Sequence, residues 1–204
     1  MRLVVATGNP GKFKEIAALL DGLGILLMPL GRAEAASIPS ESGDTFQENA
    51  RIKAVAAATL CDALALADDS GLEVDALGGQ PGVFSARFGG PGMTDAERCR
   101  LLLDKLIGIP SEGRTARFRC VVALAEPSGR VRYAEGACEG RITSALRGTN
   151  GFGYDPVFEI PALGRTLAEV DPELKNRLSH RAQAVKRVRE ILEAMQGAEE
   201  RRAR

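Results

Sequence analysis

Two neighbouring carboxylates, Asp68-Asp69, follow the apolar run Leu64-Ala65-Leu66-Ala67 and precede Ser70-Gly71. Adjacent carboxylates at the end of a strand repel each other unless a cation or a proton is shared. Carboxylate oxygens are what Mg²⁺ prefers, with water and phosphate oxygens as its remaining ligands. The same pair also reads as a cap on a surface turn. A second group is Thr7-Gly8-Asn9-Pro10-Gly11-Lys12, between the apolar run Leu3-Val4-Val5-Ala6 and a helical pattern. Its glycines let the backbone approach an anion, the helix N-terminus supplies N–H donors, and Lys12 adds a point charge. A Walker-type loop needs four residues between its glycines and Ser or Thr after the lysine. Here only Asn9-Pro10 separates the glycines and Phe13 follows Lys12, so an ordinary strand-to-helix turn is the competing reading.

Two further groups carry recognition chemistry. Gly151-Phe152-Gly153-Tyr154-Asp155-Pro156 places two rings and a carboxylate in a glycine loop, in a chain with 4% aromatics and no Trp. A ring on a loop can stack on a base at about 1–3 kcal/mol; packing of both rings into the core is the alternative. Lys175-Asn176-Arg177-Leu178-Ser179-His180-Arg181 is rich in hydrogen-bond donors and contains the chain's one histidine. It precedes the last helical stripe, with Ser179 as a cap residue, and reads either as a binding segment or as a solvated basic cap. Glu41 and Lys53, taken singly, are surface charges.

The elements that position these groups follow from the hydrophobic pattern. Strands are expected at Leu3–Ala6, Leu64–Ala67, Leu72–Asp75, Thr115–Glu126, Val131–Ala134 and Val157–Ile160. Helices are expected at Lys12–Gly22, after the capping boxes Thr45-Phe46-Gln47-Glu48 and Thr94-Asp95-Ala96-Glu97, after Asp171-Pro172, and along Ala184, Val185, Val188, Ile191, Leu192 and Met195. Strand, glycine loop and helix in that order open an α/β protein. The reading is one domain over 1–196, with the charged stretch 197–204 expected to fray.

Composition excludes several classes. Twenty-seven basic and 27 acidic residues give no net charge, which argues against a nucleic-acid coat protein. One histidine rules out the His-rich zinc patterns, and Cys61, Cys99, Cys120 and Cys138 form no CxxC pair. Reduced, buried thiols, no apolar run of membrane-spanning length, and no leader pattern make a cytoplasmic protein the expectation, with neither nucleic acid nor membrane as partner.

Together the stretches ATGNPGK, ESGDTFQENARIKA, ADDSGLEVDALGGQPGVFSARF, GFGYDPVF and KNRLSHRAQA, in that order along the chain, resemble the inosine/xanthosine triphosphate pyrophosphatase family. The resemblance implies a long mixed sheet with flanking helices, forming two lobes around a nucleotide cleft, and a homodimer. It implies hydrolysis of ITP, dITP or XTP to the monophosphate and pyrophosphate with Mg²⁺. Carried over by position, Thr7, Gly8, Asn9, Pro10, Gly11, Lys12 and Lys53 would hold phosphates. Glu41 and Asp69 would position Mg²⁺, with Asp69 also the proton acceptor, and Ser70 would contact substrate. Phe152, Gly153, Tyr154, Asp155, Lys175, His180 and Arg181 would form the base pocket. A pocket of donors welcomes a 6-oxo purine and leaves donors facing donors when adenine enters. The competing readings are a pyrophosphatase for modified pyrimidine nucleotides and a non-catalytic nucleotide sensor.

Overall fold

The computed structural model describes residues 1–203, apart from the side chains of 32, 199, 200, 202 and 203. Along the chain run β1 (Arg2–Val5), α1 (Pro10–Leu19), β2 (Leu26–Pro29), α2 (Arg32–Ser37), α3 (Phe46–Cys61), β3 (Ala65–Val74), α4 (Asp95–Lys105), β4 (Thr115–Ala125), β5 (Val131–Ile142), β6 (Phe158–Ile160), β7 (Arg165–Thr166), α5 (Pro172–Leu178) and α6 (His180–Ala203). Among the described residues the strands form one seven-stranded sheet in the order β2-β1-β3-β4-β5-β6-β7. β1 pairs parallel with both β2 and β3, whereas β5–β6 and β6–β7 are antiparallel. The fold is mixed α/β.

The chain divides into two compact units. The first takes Met1–Asp69, Cys120–Gly136 and the chain from Arg181 onward; the second takes Ser70–Arg119 and Ala137–His180. The first unit's core joins Leu3 and Val5 of β1, Ile16 and Leu20, Leu66, Val122 and Leu124, and the stripe Val185, Val188 and Leu192 of α6. The second unit's core gathers Leu72, Val74, Leu102, Leu106, Phe118, Ile142, Phe158 and Leu167. Each of these stripes follows the period of its own element.

Helix starts agree with the expected caps. Thr45 and Thr94 each accept from the backbone three residues on, while Glu48 and Glu97 reach back to the cap N–H. α1 begins at Pro10 rather than Lys12, because Asn9 Oδ1 accepts from Gly11 N and Lys12 N at 2.8 and 3.1 Å. α6 continues to Ala203, through the stretch expected to fray.

The strands depart from expectation in two places. Asp68-Asp69-Ser70-Gly71 lies inside one continuous ten-residue strand, β3, and not at a strand end. Cations described below meet these two carboxylates, so the strand can carry them inside. β5 runs eight residues beyond Ala134 to Ile142. Its second half is rich in small residues because a Cβ at Gly140 would lie 2.4 Å from the Phe158 ring and 2.5 Å from Glu159 O. Close strand packing therefore removes the side chains by which a sequence announces a strand. β2, β7 and α2, all short, fall outside the expected elements.

Candidate active site

In the first unit the functional groups converge on the middle of β3. Asp68 is fully buried, and its Oδ2 takes Lys12 Nζ at 3.0 Å and Arg181 Nε and Nη2 at 3.2 and 3.1 Å. Arg181 Nη1 also pairs with Glu15. Burial by itself would raise the Asp68 carboxyl, but the charges of Lys12, Arg181 and Lys53 outweigh it and hold the group far below the usual carboxylate range.

Asp69 points its chemistry elsewhere. Lys53, from α3, donates to Glu41 Oε1 at 2.7 Å, to the Asp68 carbonyl at 2.7 Å and to Asp69 Oδ1 at 3.1 Å. Among the described residues Asp69 Oδ2 is buried with no hydrogen-bond partner. Burial raises the Asp69 carboxyl above its ordinary value; Glu41 adds to the rise, and Lys53 and Lys12 oppose it. The Lys53 ammonium is discouraged by burial, yet Asp69, Asp68 and Glu41 keep it firmly protonated. Two neighbouring carboxylates sharing one ammonium, with a buried oxygen still open, fit a hard divalent cation that takes one or two carboxylates and fills the rest with phosphate and water. Among the described residues no group of three or more His, Cys, Asp or Glu could hold a metal ion.

The loop before α1 serves as the helix's N-terminus. Asn9 is its cap, and Asn9 N donates to Thr7 Oγ1 at 3.2 Å. Beside Gly8 no heavy atom lies within 4 Å of where a Cβ would stand, so the backbone there is open to a ligand.

In the second unit Gly151 adopts φ 75°, and a Cβ on it would stand 2.0 Å from Asp155 Oδ2. That clearance lets Asp155 fold back and accept from Phe152 N at 2.9 Å while pairing with the buried Lys175. Lys175 Nζ in turn lies 4.6 Å from the centroid of the Phe152 ring. Gly153 N donates to Asp95 Oδ2 at 2.8 Å, tying the loop to the start of α4. Tyr154 is a core residue: it is 5% exposed, and its hydroxyl donates to Ser85 O at 2.8 Å. Burial pushes its phenol well above the ordinary value. His180 is buried and stacks on Phe118, centroids 4.7 Å apart and planes at 10°.

The structure thus brings Lys12, Glu41, Lys53 and Asp69 together, and separately Phe152, Gly153, Asp155 and Lys175. Half-buried Ser70 follows Asp69 directly. Arg181 departs from the expected grouping, because its guanidinium is committed to Asp68 and Glu15 in the first unit. Sequence reasoning also missed Glu15, Phe118, Ser85 and Asp95. Glu15 lies three residues after Lys12 on α1, and Phe118 alternates along an expected strand; each was visible as a position but not as a contact.

Residues 3–191 match the model of the Ham1 family. A dITP/XTP pyrophosphatase of Desulforamulus reducens is 53% identical over 94% of this chain and 96% of its own. A HAM1 protein from Coxiella burnetii superposes with TM-score 0.84 at 43% identity, covering 94% of this chain and 98% of that one. The Staphylococcus aureus Ham1 protein does so with TM-score 0.85 at 35% identity, covering 96% and 100%. The chain belongs to the Ham1 family.

Proposed function

We propose that this chain hydrolyses non-standard purine nucleoside triphosphates, the dITP and XTP class named for its relatives, to the monophosphate and pyrophosphate. The observation that carries the reading is the meeting of Glu41 and Asp69 on Lys53, with the second oxygen of Asp69 buried and open. Asp69, with its carboxyl raised by burial, accepts the proton of the attacking water; a base of this kind contributes about 10²–10⁴-fold. Attack at the α-phosphorus makes pyrophosphate the leaving group. Lys12, Lys53 and the N–H groups at the start of α1 meet the charge that develops there. Glu41 and Asp69 would hold Mg²⁺. When bound, it neutralises phosphate charge and polarises the reacting centre.

The purine stacks on Phe152, the loop ring not absorbed into the core. In the same unit His180 is a donor for its O6. A 6-amino group offers that donor nothing, and a buried donor left without an acceptor rejects adenine. Homodimeric assembly and a cytoplasmic setting complete the proposal; no helix of the described residues is long and apolar enough to cross a membrane. The test is a panel of dITP, XTP, ITP, dUTP, GTP and ATP, read by pyrophosphate release with and without Mg²⁺. Preference for the first three supports the reading. Selective turnover of a pyrimidine, or binding without any pyrophosphate release, overturns it.

A further inference from the structure

The second unit contains a cavity of about 300 Å³ walled in part by Arg114, Arg141, Arg147, Glu159, Ser111 and Ser144. None of these residues belongs to the groups assigned above. Arg114 spends its donors on three neutral carbonyls, Nε on Ile109 O at 2.9 Å, Nη1 on Thr143 O at 3.0 Å and Nη2 on Leu106 O at 3.0 Å. Among the described residues its charge meets no carboxylate. Arg141 and Arg147 share the buried Glu159, and Arg147 also takes Glu169. Nη1 of Arg141 and Nη1 of Arg147 donate to nothing among the described residues.

Three guanidinium groups therefore line a cavity with one carboxylate, Glu159, in its wall, and Arg147 pairs also with Glu169. The side chains of Arg141 and Arg147 are still 42% and 37% exposed, so an anion can reach them. Two free, planar donor ends beside serine hydroxyls suit an oxyanion with several acceptor oxygens. Because Glu159 already orients both arginines, the site is held in place before any ligand arrives. We propose that this cavity is a second anion site, taking a small phosphate-class ligand. A cavity of this size lies at the small end of ligand pockets, which admits free pyrophosphate or the phosphate of a nucleotide.

The test uses the full chain and direct binding. Inorganic pyrophosphate, and separately inosine monophosphate, are titrated while backbone amides and arginine Nε–H signals are followed by NMR. Saturable shifts at residues 141–147 are expected, read apart from those at residues 7–12. Ser144→Asp sets a negative charge at the wall while keeping the arginines that neutralise Glu159, and Ser144 is exposed, so the fold tolerates it. It should weaken binding at 141–147 by about tenfold or more, since like charges facing each other are strongly unfavourable. The residue 7–12 titration should stay unchanged, and Ser144→Asn should bind like the wild type. Tighter binding of pyrophosphate identifies a free anion, and tighter binding of the monophosphate identifies a nucleotide; either supports the site. Shifts confined to residues 7–12 at millimolar ligand, or a Ser144→Asp protein that titrates like the wild type, would overturn it.

Discussion

In the first unit Glu15, Glu41, Asp68 and Asp69 face Lys12, Lys53 and Arg181, four carboxylates against three cations. In the second unit Asp155 faces Lys175, one against one, and the loop around them is closed by backbone donors and rings. The first arrangement is short of positive charge, the deficit that the proposed Mg²⁺ would fill. The second is balanced, with the Lys175 ammonium set over the Phe152 ring. Neighbouring carboxylates diverge for the same reason. Asp68 collects cations and stays ionised, while Asp69 shares one ammonium with Glu41 and is left readier to take a proton.

Removing charge from the first cluster should have the largest effect. Asp69→Asn keeps shape but loses the basic oxygen, so kcat should fall by about 10²–10⁴-fold. Nucleotide affinity and melting temperature should stay close to wild type. Pyrophosphate release with dITP checks this, and near-normal turnover would remove Asp69 from the chemistry.

Asp68→Asn tests stability instead. It leaves buried cations without their carboxylate, at about 3–5 kcal/mol. The sign of its pH dependence follows from the depressed carboxyl. The stabilisation is fully present above the unfolded carboxylate value of about 3.9, and is lost as pH falls below it towards the folded value. The melting-temperature gap between wild type and Asp68→Asn should be wide at neutral pH and close progressively below about pH 4. A gap independent of pH would mean that Asp68 stabilises by packing alone.

The balanced loop should respond more weakly and without pH dependence. Phe152→Ala should cost substrate affinity about 1–3 kcal/mol, the value of one stacked base. Tyr154→Phe should cost about 0.5–1.5 kcal/mol of stability, one neutral hydrogen bond, with kcat/KM nearly intact. Denaturant unfolding and steady-state kinetics on the two variants separate the rings. The opposite pattern would exchange their roles.

Much of this was legible from residue order. The capping boxes at Thr45 and Thr94, the Asp171-Pro172 helix start and the apolar stripe of α6 are local signals, and each set its element. The interior of β3 was not legible, since Asp-Asp-Ser-Gly carries every mark of a turn, and the three cations that meet its carboxylates lie far off in the sequence. The second half of β5 was hidden by its small residues. In the site, residue types announced Lys12 and Asp69 as chemistry, whereas Glu41 and Lys53 read singly as surface charges and entered only through the family resemblance. The burial of Tyr154 against Ser85 and the commitment of Arg181 to Asp68 and Glu15 depend on contacts 69, 113 and 166 residues apart. No local pattern encodes such distances.

The contact between Lys12 and Asp68 sets a threshold for anything that uses the loop before α1. The Lys12 ammonium has three donors, and Asp68, at 3.0 Å, engages it before any ligand arrives. Under the proposed function a phosphate at this loop would share the cation with an internal rival that is already ionised, so part of its pull is spent in advance. A ligand with several phosphates would recover the difference elsewhere, and one left with a single phosphate would not. The resting ion pair would thus work as a built-in eluent, favouring escape of the monophosphate once its pyrophosphate has gone.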